Sequence, residues 1–406
     1  MARGCQTVQL RGARGRRLIY IRAVYLALTD DQQFFQETTR KFLEQEMPLT
    51  AVRALVDDPA GFDRSWWKRG AELGWTSLLV PEADGGGSLG GEGVLDLVIV
   101  AEEMGRMVSP GPLGPTNVVA EAVAAGGSPE LRASVLPGIV AGDVVAAWCI
   151  AGPGGAWDGS GVAVTAVRDG DEFVLDGEAA PVEAGAQADV LLVTARTGDE
   201  LTQLLVAVDT PGVTREPLGS VDLVRRFASV RFDGARVAAD RVVGAVNGAG
   251  SAVERQLHLA IVLDCAETVG ALDRVAELTL EYLADRSSFG RPLASYQAIK
   301  HRFADMKMWL ETGHGATELA ARAVQDDAAD AAEIVSAAAS YLGDHATEFV
   351  QECTQFHGGI GVTWEHDLHL YLRRITLDRS LHGTPAQHRE RIAARLLADE
   401  QEHARA

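Results

Sequence analysis

The sequence predicts an α+β fold in which helices come first, strands follow as a separate block, and helices then return. Apolar residues recur every three or four positions in the first and last thirds of the chain, whereas short β-branched runs between Gly and Asp turns fill the middle. Such segregated blocks favour layers around separate cores over an alternating doubly wound fold. With 406 residues, 47% of them hydrophobic, the chain is long enough for two or three domains.

The first domain is expected at residues 29–140. Residues 1–28 are rich in arginine and lack the apolar segment and cleavage site of a signal peptide, so we expect a disordered or mis-started tail there. Thr29-Asp-Asp-Gln32 matches a capping box and predicts the start of a helix. Further helical periods are found at 63–75, 95–104 and 117–125.

A β domain is expected at 141–248 and a second helical domain at 249–406. The predicted strands are 162–167, 172–175, 190–195, 204–208 and 228–232. The predicted helices of the last domain are 253–285, 295–324, 329–356 and 387–398.

Composition narrows the class of function. The chain has 57 acidic and 37 basic residues and a net charge of -20, which disfavours nucleic acid and anionic lipid as partners. No apolar run is long enough for a membrane span. The four cysteines lie far apart, as expected of reduced thiols in a cytoplasmic protein.

Three short motifs resemble sites but lack the necessary context. His366 and His369 have no recognisable third ligand, so we expect no metal site. Gly86-Gly-Ser-Leu-Gly90 is not preceded by a strand, as a nucleophile elbow would be. The glycines at 152–155 lack the spacing of a Rossmann fingerprint. We interpret both glycine segments as loops.

Two segments of the last domain carry groups suited to a dinucleotide. The first runs from Arg286 through Phe289 to Gln297, and the second contains Gln355, Gly358 and Gly359. Arginine and glutamine offer donors to a pyrophosphate, a phenylalanine supplies an apolar wall, and glycines allow close backbone approach.

These segments, in this order and spacing, resemble signatures of the acyl-CoA dehydrogenases, and the likeness extends from about residue 29 to residue 398. The resemblance implies a C-terminal four-helix bundle and an FAD whose ring lies mainly in a neighbouring subunit. By resemblance, the residues that contact the adenosine and pyrophosphate end of this FAD are Arg286, Ser288, Phe289, Gln297, Gln355, Gly358 and Gly359, and Thr384 is a further cofactor-binding residue.

The catalytic position departs from the family pattern. In the family a Glu-Gly-Thr supplies the base that removes the α-proton of an acyl-CoA while hydride passes to the flavin. Here the segment reads His382-Gly383-Thr384. A neutral imidazole can also act as a base. Some relatives place the Glu on the preceding long helix, where this chain has Ala260. Asp264, one turn later on the same face, is a second candidate.

The segment expected to line the flavin ring departs as well. The family carries Trp-Ile-Ser/Thr after the strand that ends near Gly177, and this chain has Pro181-Val182-Glu183. Proline offers no backbone N–H, and Glu183 would bring negative charge to an electron-accepting ring. The upstream Thr-Glu-Pro-Gly loop of the family is also altered, at 151–158.

The pattern resembles one subunit of the actinobacterial heteromeric dehydrogenases for steroid side-chain thioesters. It implies an acyl-CoA substrate, a second dehydrogenase subunit in a heterotetramer, and an electron-transfer flavoprotein as acceptor. Two alternatives stay open: a homo-oligomeric dehydrogenase with His382 or Asp264 as base, and a non-catalytic scaffolding relative.

Overall fold

A computed structural model describes residues 28–405, with side chains to residue 397. The expected N-terminal tail therefore lies outside the described residues except for Leu28. The predicted capping box is confirmed, because the Thr29 hydroxyl accepts from the Gln32 amide at 3.2 Å and Gln32 Oε1 accepts from the Thr29 amide at 3.1 Å. The first helices are α1 (Asp30–Glu46), α2 (Leu49–Ala54), α3 (Arg64–Glu72), α4 (Gly93–Arg106), α5 (Leu113–Gly126) and α6 (Pro129–Val140).

An eight-stranded sheet follows. Its strands are β1 (Ala146–Cys149), β2 (Thr165–Asp169), β3 (Glu172–Glu183), β4 (Val190–Thr197), β5 (Glu200–Ala207), β6 (Val213–Leu218), β7 (Phe227–Ala238) and β8 (Val242–Val243). The order is β6-β7-β3-β2-β4-β5-β8, and β1 pairs in parallel with β4 beside this path. The sheet places the end of β3 and the loop before β7 next to the helices.

The chain then returns to helices around one long element. These are α7 (Gly250–Asp285), α8 (Gln297–Gln325), α9 (Ala331–His357), α10 (Leu368–Asp378) and α11 (Pro385–Arg405), with a small hairpin of β9 (Ser287–Ser288) and β10 (Arg291–Pro292) after α7. Every residue from 259 to 272 of α7 is buried. Any polar side chain in that stretch must therefore find its partners inside the protein. None of the described helices has the length and apolarity to cross a membrane.

The α+β order predicted from the sequence is confirmed, and the differences are local. Helices α2, α6 and α10 and strands β1, β6, β8, β9 and β10 were not predicted. Pro129 and Pro137 suggest breaks, although Pro129 occupies the first helical position, where it is tolerated. Strand β1 is buried throughout, so the alternation that marks a half-exposed strand is absent.

Two glycines bring α4 and α7 into close contact. A Cβ atom at Gly270 would lie 1.9 Å from the Glu102 carbonyl oxygen, and one at Gly105 would lie 1.9 Å from the Glu267 carbonyl oxygen. Neither neighbour is a flexible side chain, so larger residues require the helices to separate. This contact fixes the position of Glu267 relative to α4 of the first domain.

We expect Gly270→Ala to lower the free energy of unfolding by about 1–3 kcal/mol, because the new methyl group overpacks the α4/α7 contact. Gly315→Ala in α8 is the control, since a methyl group added there would meet no atom within 4 Å. It should leave stability unchanged or raise it by up to about 1 kcal/mol. Urea unfolding of both variants is the measurement, and equal stability of the two would contradict the close-contact interpretation.

Candidate active site

His382 and Asp264, the two candidate bases, form one hydrogen-bonded pair. His382 Nδ1 lies 2.6 Å from Asp264 Oδ2, and both residues are buried. His382 has a positive φ of 57° in the loop between α10 and α11, an uncommon conformation for a residue with a side chain. When the Nδ1–H group of a neutral ring donates this hydrogen bond to Asp264, the Nε2 atom keeps its lone pair. The arrangement is that of a base oriented by a carboxylate.

Two tryptophans pack against the imidazole. The Trp157 ring meets it edge-on at a centroid distance of 4.7 Å, and the Trp148 ring lies nearly parallel at 6.4 Å. Trp148 is on β1 and Trp157 is in the altered loop that follows it. The His382–Asp264 pair, called the dyad below, is therefore covered by aromatic side chains from the β domain.

Arg225 is the hub of the site. It lies in the loop before β7 and contacts carboxylates from β3, α7 and α10. The distances are 2.8 Å to Glu267, 3.2 Å to Asp378, 3.3 Å to Asp264 and 3.4 Å to Glu183. Burial disfavours the charge, but these carboxylates outweigh it and hold the Arg225 pKa well above its ordinary range.

A second buried arginine extends the network. Arg374 on α10 donates through Nε to Asp222 and through Nη1 to Glu267 at 2.9 Å. It also donates to the Ser109 carbonyl oxygen at 3.3 Å, which connects the network to the first domain. Both carboxylate partners are buried. Glu267 thereby bridges the two arginines and belongs to the same buried cluster as the dyad.

The cluster holds more acidic than basic groups. Its members are the carboxylates Glu183, Asp222, Asp264, Glu267 and Asp378 and the bases Arg225, Arg374 and His382. Burial raises the pKa of Asp378 well above its ordinary value and also raises that of Glu183. Burial also opposes ionisation of Asp264, but His382 and Arg225 outweigh it and lower the Asp264 pKa. Burial thus disfavours ionisation of Asp378 and Glu183, whereas His382 and Arg225 favour the ionised form of Asp264.

The space beside the dyad is almost filled. The cavity lined by Glu183, Arg225, Ala260, Asp264 and His382 has a volume of about 20 Å³. A cavity of this size admits about one water molecule. Ala260, the alternative base position, does lie on the same side as Asp264, as predicted. No tricyclic ring fits between these side chains as they stand.

The predicted dinucleotide contacts are, in contrast, open. Arg286, Gln297 and Gln355 are exposed, and no described side chain forms a hydrogen bond with theirs. Phe289 is 98% exposed at the tip of the β9–β10 hairpin, with a φ of 49°. Its neighbour Ser288 accepts from the Tyr296 hydroxyl at 2.7 Å through its carbonyl, which steadies the hairpin. The donors and the apolar wall are available to a molecule from outside.

The two contact segments meet at one end of the bundle. Tyr282, four residues before Arg286, donates to the His357 carbonyl oxygen at 3.2 Å and stacks on the His357 ring at 4.4 Å. His357 immediately precedes Gly358. The predicted contact residues of these two segments are called the clamp: Arg286, Ser288, Phe289, Gln297, Gln355, Gly358 and Gly359.

The clamp is far from the dyad of the same chain. Asp264 and Arg286 are 22 positions apart on, and at the end of, one uninterrupted helix. At 1.5 Å per residue this is about 33 Å. A ligand group bound at the clamp therefore lies far from the chain's own His382.

Other predicted residues are placed as follows. Glu254 is exposed and lies 3.6 Å from Arg395, as expected of a surface carboxylate. Thr384 is exposed and pairs with Gln387 at the start of α11, so its cofactor contact stays a prediction. His366 and His369 belong to no group of three or more metal-binding side chains within the described residues. Arg225, Glu267, Asp378 and Trp157 were missed, because none of them belongs to a spaced motif.

Comparison with known proteins assigns the family. Residues 29–143 match the acyl-CoA dehydrogenase N-terminal domain, and residues 247–397 match the acyl-CoA dehydrogenase C-terminal domain. Acyl-CoA dehydrogenase IpdE2 of Mycolicibacterium smegmatis is 31% identical over 90% of this chain and 99% of its own length. The chain belongs to the acyl-CoA dehydrogenase family, a family of FAD-dependent oxidoreductases.

Solved structures agree. A variant of the Tcur3481–Tcur3483 steroid ACAD superposes with a TM-score of 0.82 at 28% identity, covering 92% of this chain and 99% of that one. The ChsE4–ChsE5 complex from Mycobacterium tuberculosis gives a TM-score of 0.83 at 27% identity, with 91% and 98% covered. This chain thus shares with these proteins both its fold and the order of its helical, β and helical regions.

The FAD used by this family fits one part of the chain and not the other. The clamp has free donors and an exposed aromatic ring, which suit the adenosine and pyrophosphate end. At Pro181-Val182-Glu183, where the resemblance places the ring, Glu183 and Arg225 fill the space and leave about 20 Å³. The residues present do not fit the isoalloxazine ring.

The pKa shifts of Asp264 and Asp378 predict opposite pH dependences of stability. The Asp264 pKa is lowered, so its ionised form stabilises the fold above about pH 4 and this contribution is lost as pH falls through the folded pKa. The Asp378 pKa is raised, so stability falls as pH rises from about 4 toward the folded value.

We therefore expect Asp264→Asn to lower the free energy of unfolding at pH 7 by about 3 kcal/mol. Asp378→Asn, which mimics the protonated acid, should change it by less than about 1 kcal/mol or raise it. Urea titrations at pH 5, 7 and 9 provide the measurement. Equal losses in both variants at pH 7 would contradict the assigned charge states.

Proposed function

We propose that this chain is one subunit of a heteromeric acyl-CoA dehydrogenase, in which it contributes the clamp to an FAD whose ring is held by a second, full-motif subunit. The observation that carries the proposal is the contrast between the filled ring position at Pro181-Val182-Glu183 and the open clamp of the same chain. The pair would introduce a double bond between Cα and Cβ of an acyl-CoA thioester.

In this proposal the chain binds and orients FAD, and the partner subunit carries out the dehydrogenation. Arg286 and Gln297 would donate to the pyrophosphate, while Phe289 covers the adenosine end. The partner would supply the Glu base and the ring site, and FAD would accept the hydride before an electron-transfer flavoprotein accepts the electrons. His382 is then a structural member of the ionic cluster.

Relatives and geometry both support this assignment. The solved relatives include a steroid ACAD and a complex that are each named after two components, Tcur3481–Tcur3483 and ChsE4–ChsE5. The clamp lies about 33 Å from the dyad, so the two cannot serve one ring in one chain. The description of the Tcur3481–Tcur3483 protein as a steroid ACAD favours a bulky, ring-containing acyl group as substrate.

Purification of the chain alone and with a co-expressed full-motif dehydrogenase tests the proposal. The chain alone should carry little flavin, and the complex should carry one FAD for each copy of this chain and turn over acyl-CoA. Full flavin occupancy and turnover by the chain alone would refute heteromeric sharing.

In that complex Arg286→Gln should weaken FAD retention about tenfold or more, because a charge-assisted donor to the pyrophosphate is lost. Arg302→Gln on α8 is the control, since Arg302 pairs with Glu348 and Glu352 and is outside the clamp. Flavin released on dilution is the measurement. Equal retention in the two variants would remove the clamp from the FAD site and favour the scaffolding alternative.

The homo-oligomeric alternative has one observation in its favour, the His382–Asp264 pair. Because the pair acts as a unit, His382→Ala and Asp264→Ala should both abolish acyl-CoA-dependent flavin bleaching if His382 is the base. Bleaching that survives in the complex with either variant assigns the base to the partner.

A further inference from the structure

A contact between Tyr282 and His357 joins the two halves of the clamp. The Tyr282 hydroxyl donates to the His357 carbonyl oxygen at 3.2 Å, and the two rings stack at a centroid distance of 4.4 Å. One half of the clamp begins at Arg286, at the end of the helix that carries Tyr282, and the other contains Gly358, which follows His357 directly. A change at His357 therefore acts on both halves.

The His357 ring is held in its neutral form. Its Nδ1 atom lies 2.8 Å from the Cys353 carbonyl oxygen, and because a carbonyl oxygen only accepts, Nδ1 carries the ring proton. The Nε2 atom is buried and has no hydrogen-bond partner among the described residues. A proton added at Nε2 would place an unpaired charge inside the protein. Burial lowers the pKa of His357, and the bond to Cys353 opposes this shift only in part.

His366 is held neutral by the hydrogen bond that it accepts. Its ring meets the His357 ring edge-on at a centroid distance of 4.6 Å. Its Nδ1 atom accepts from the Leu368 amide at 3.2 Å, at the first residue of α10. A nitrogen that accepts a hydrogen bond carries no proton, so a second proton on His366 would break the bond to Leu368. Burial and the neighbouring His357 lower the pKa of His366.

The charged groups around the two rings do not compensate a second proton. Asp367 favours the protonated form of His366, but it pairs with Arg53 of α2 at 2.6 Å, and the Arg53 charge acts in the opposite direction. His369 on α10 is a third imidazole and also disfavours protonation of His366. The same surroundings contain Tyr282 of α7, Cys353 of α9, Arg373 of α10 and the exposed Glu365. Protonation of either ring therefore costs free energy while both rings stay in place.

We propose that the clamp stays closed only while His357 and His366 are both neutral, and that mildly acidic solution opens it. We call Tyr282, His357 and His366 the histidine joint. A protonated His357 must leave its buried position, and its departure breaks the contact with Tyr282. The next residue, Gly358, has a φ of 64°, and glycine adopts other backbone conformations at little steric cost, so the chain can turn there.

The direction of the pH dependence follows from the lowered pKa values. Neutral rings stabilise the closed joint fully above the ordinary histidine pKa of about 6.5, and this contribution is lost as pH falls below that value. A histidine that takes up its proton only in the open form makes opening about tenfold more favourable at pH 5.5 than at pH 7.5.

Hydrogen exchange of the full chain, without flavin or partner, tests the opening by mass spectrometry. After correction for the intrinsic exchange rate, the amides of residues 358–368 should lose protection about tenfold or more between pH 7.5 and pH 5.5. Equal protection at both pH values would overturn the proposal.

The double variant His357→Asn/His366→Asn should lose this pH dependence. An asparagine amide group can donate to the Cys353 carbonyl oxygen, and an asparagine oxygen can accept from the Leu368 amide, but neither titrates. His301→Asn is the matched control and should behave as the wild type, since His301 is exposed on α8 and lies outside the joint. A double variant with the pH dependence of the wild type would contradict the assignment to these rings.

Tyr282→Phe decides if the double variant does not fold, as judged by circular dichroism. Phenylalanine keeps the ring stacking but loses the bond to the His357 carbonyl oxygen, so the same amides should lose protection about fivefold at pH 7.5. Unchanged protection in this variant would remove Tyr282 from the joint and overturn the proposal.

The release of FAD from the two-subunit complex rests on the proposed function as well, with Tyr282 and His357 as positioning residues for the clamp. Its rate should rise about tenfold from pH 7.5 to pH 5.5 in the wild type but not in the double variant. A complex that keeps FAD equally well at both pH values would overturn the acid-sensitive joint and leave the proposed function intact. A complex without FAD at pH 7.5 would refute the proposed function, and hydrogen exchange alone then decides the joint.

Discussion

The burial of Arg225 is the constraint on which the other features of the site depend. A guanidinium group taken out of water requires charged partners in good geometry, and removing one partner of a buried ion pair leaves an uncompensated charge. Arg225 finds its partners on β3, α7 and α10, so these elements must keep fixed positions relative to one another. The close α4/α7 contact at Gly105 and Gly270 fixes the height of one of them.

The same ionic cluster explains why the interior beside the dyad is both polar and almost completely filled. Buried ion pairs contribute little net stability compared with apolar packing of similar volume, so their presence is weak evidence for a stabilising role. The ion pairs fill the interior with charged groups whose displacement would cost free energy. Glu183 cannot leave Arg225 without removing a partner from a buried charge, and Trp157 packs against His382. The cavity beside the dyad is therefore kept small by ion pairs whose opposite charges neutralise one another.

The sequence predicted the parts of this molecule that depend on local order. Helical and strand periods located most elements. Spaced motifs identified the predicted clamp residues, because turns and close backbone approaches require particular residues at fixed separations. His382 and Asp264 were both identified, but as alternatives. Their 118-residue separation hides the hydrogen bond that joins them. Arg225 was missed for a related reason: a single arginine in a loop has no pattern, and only the fold brings four carboxylates to it.

The separation of the clamp from the dyad, which lies beside the filled ring position of the same chain, has a consequence for assembly. If the clamp of each copy engages the neighbour's ring position, two copies of this chain would offer each other a filled cavity and gain no binding energy from FAD. A mixed pair would gain it fully. Specificity is a difference between two affinities, and here the difference would come from the cofactor and not from the protein surfaces alone. FAD would then act as a selector of the partner, and flavin supply would determine how much of the chain is assembled.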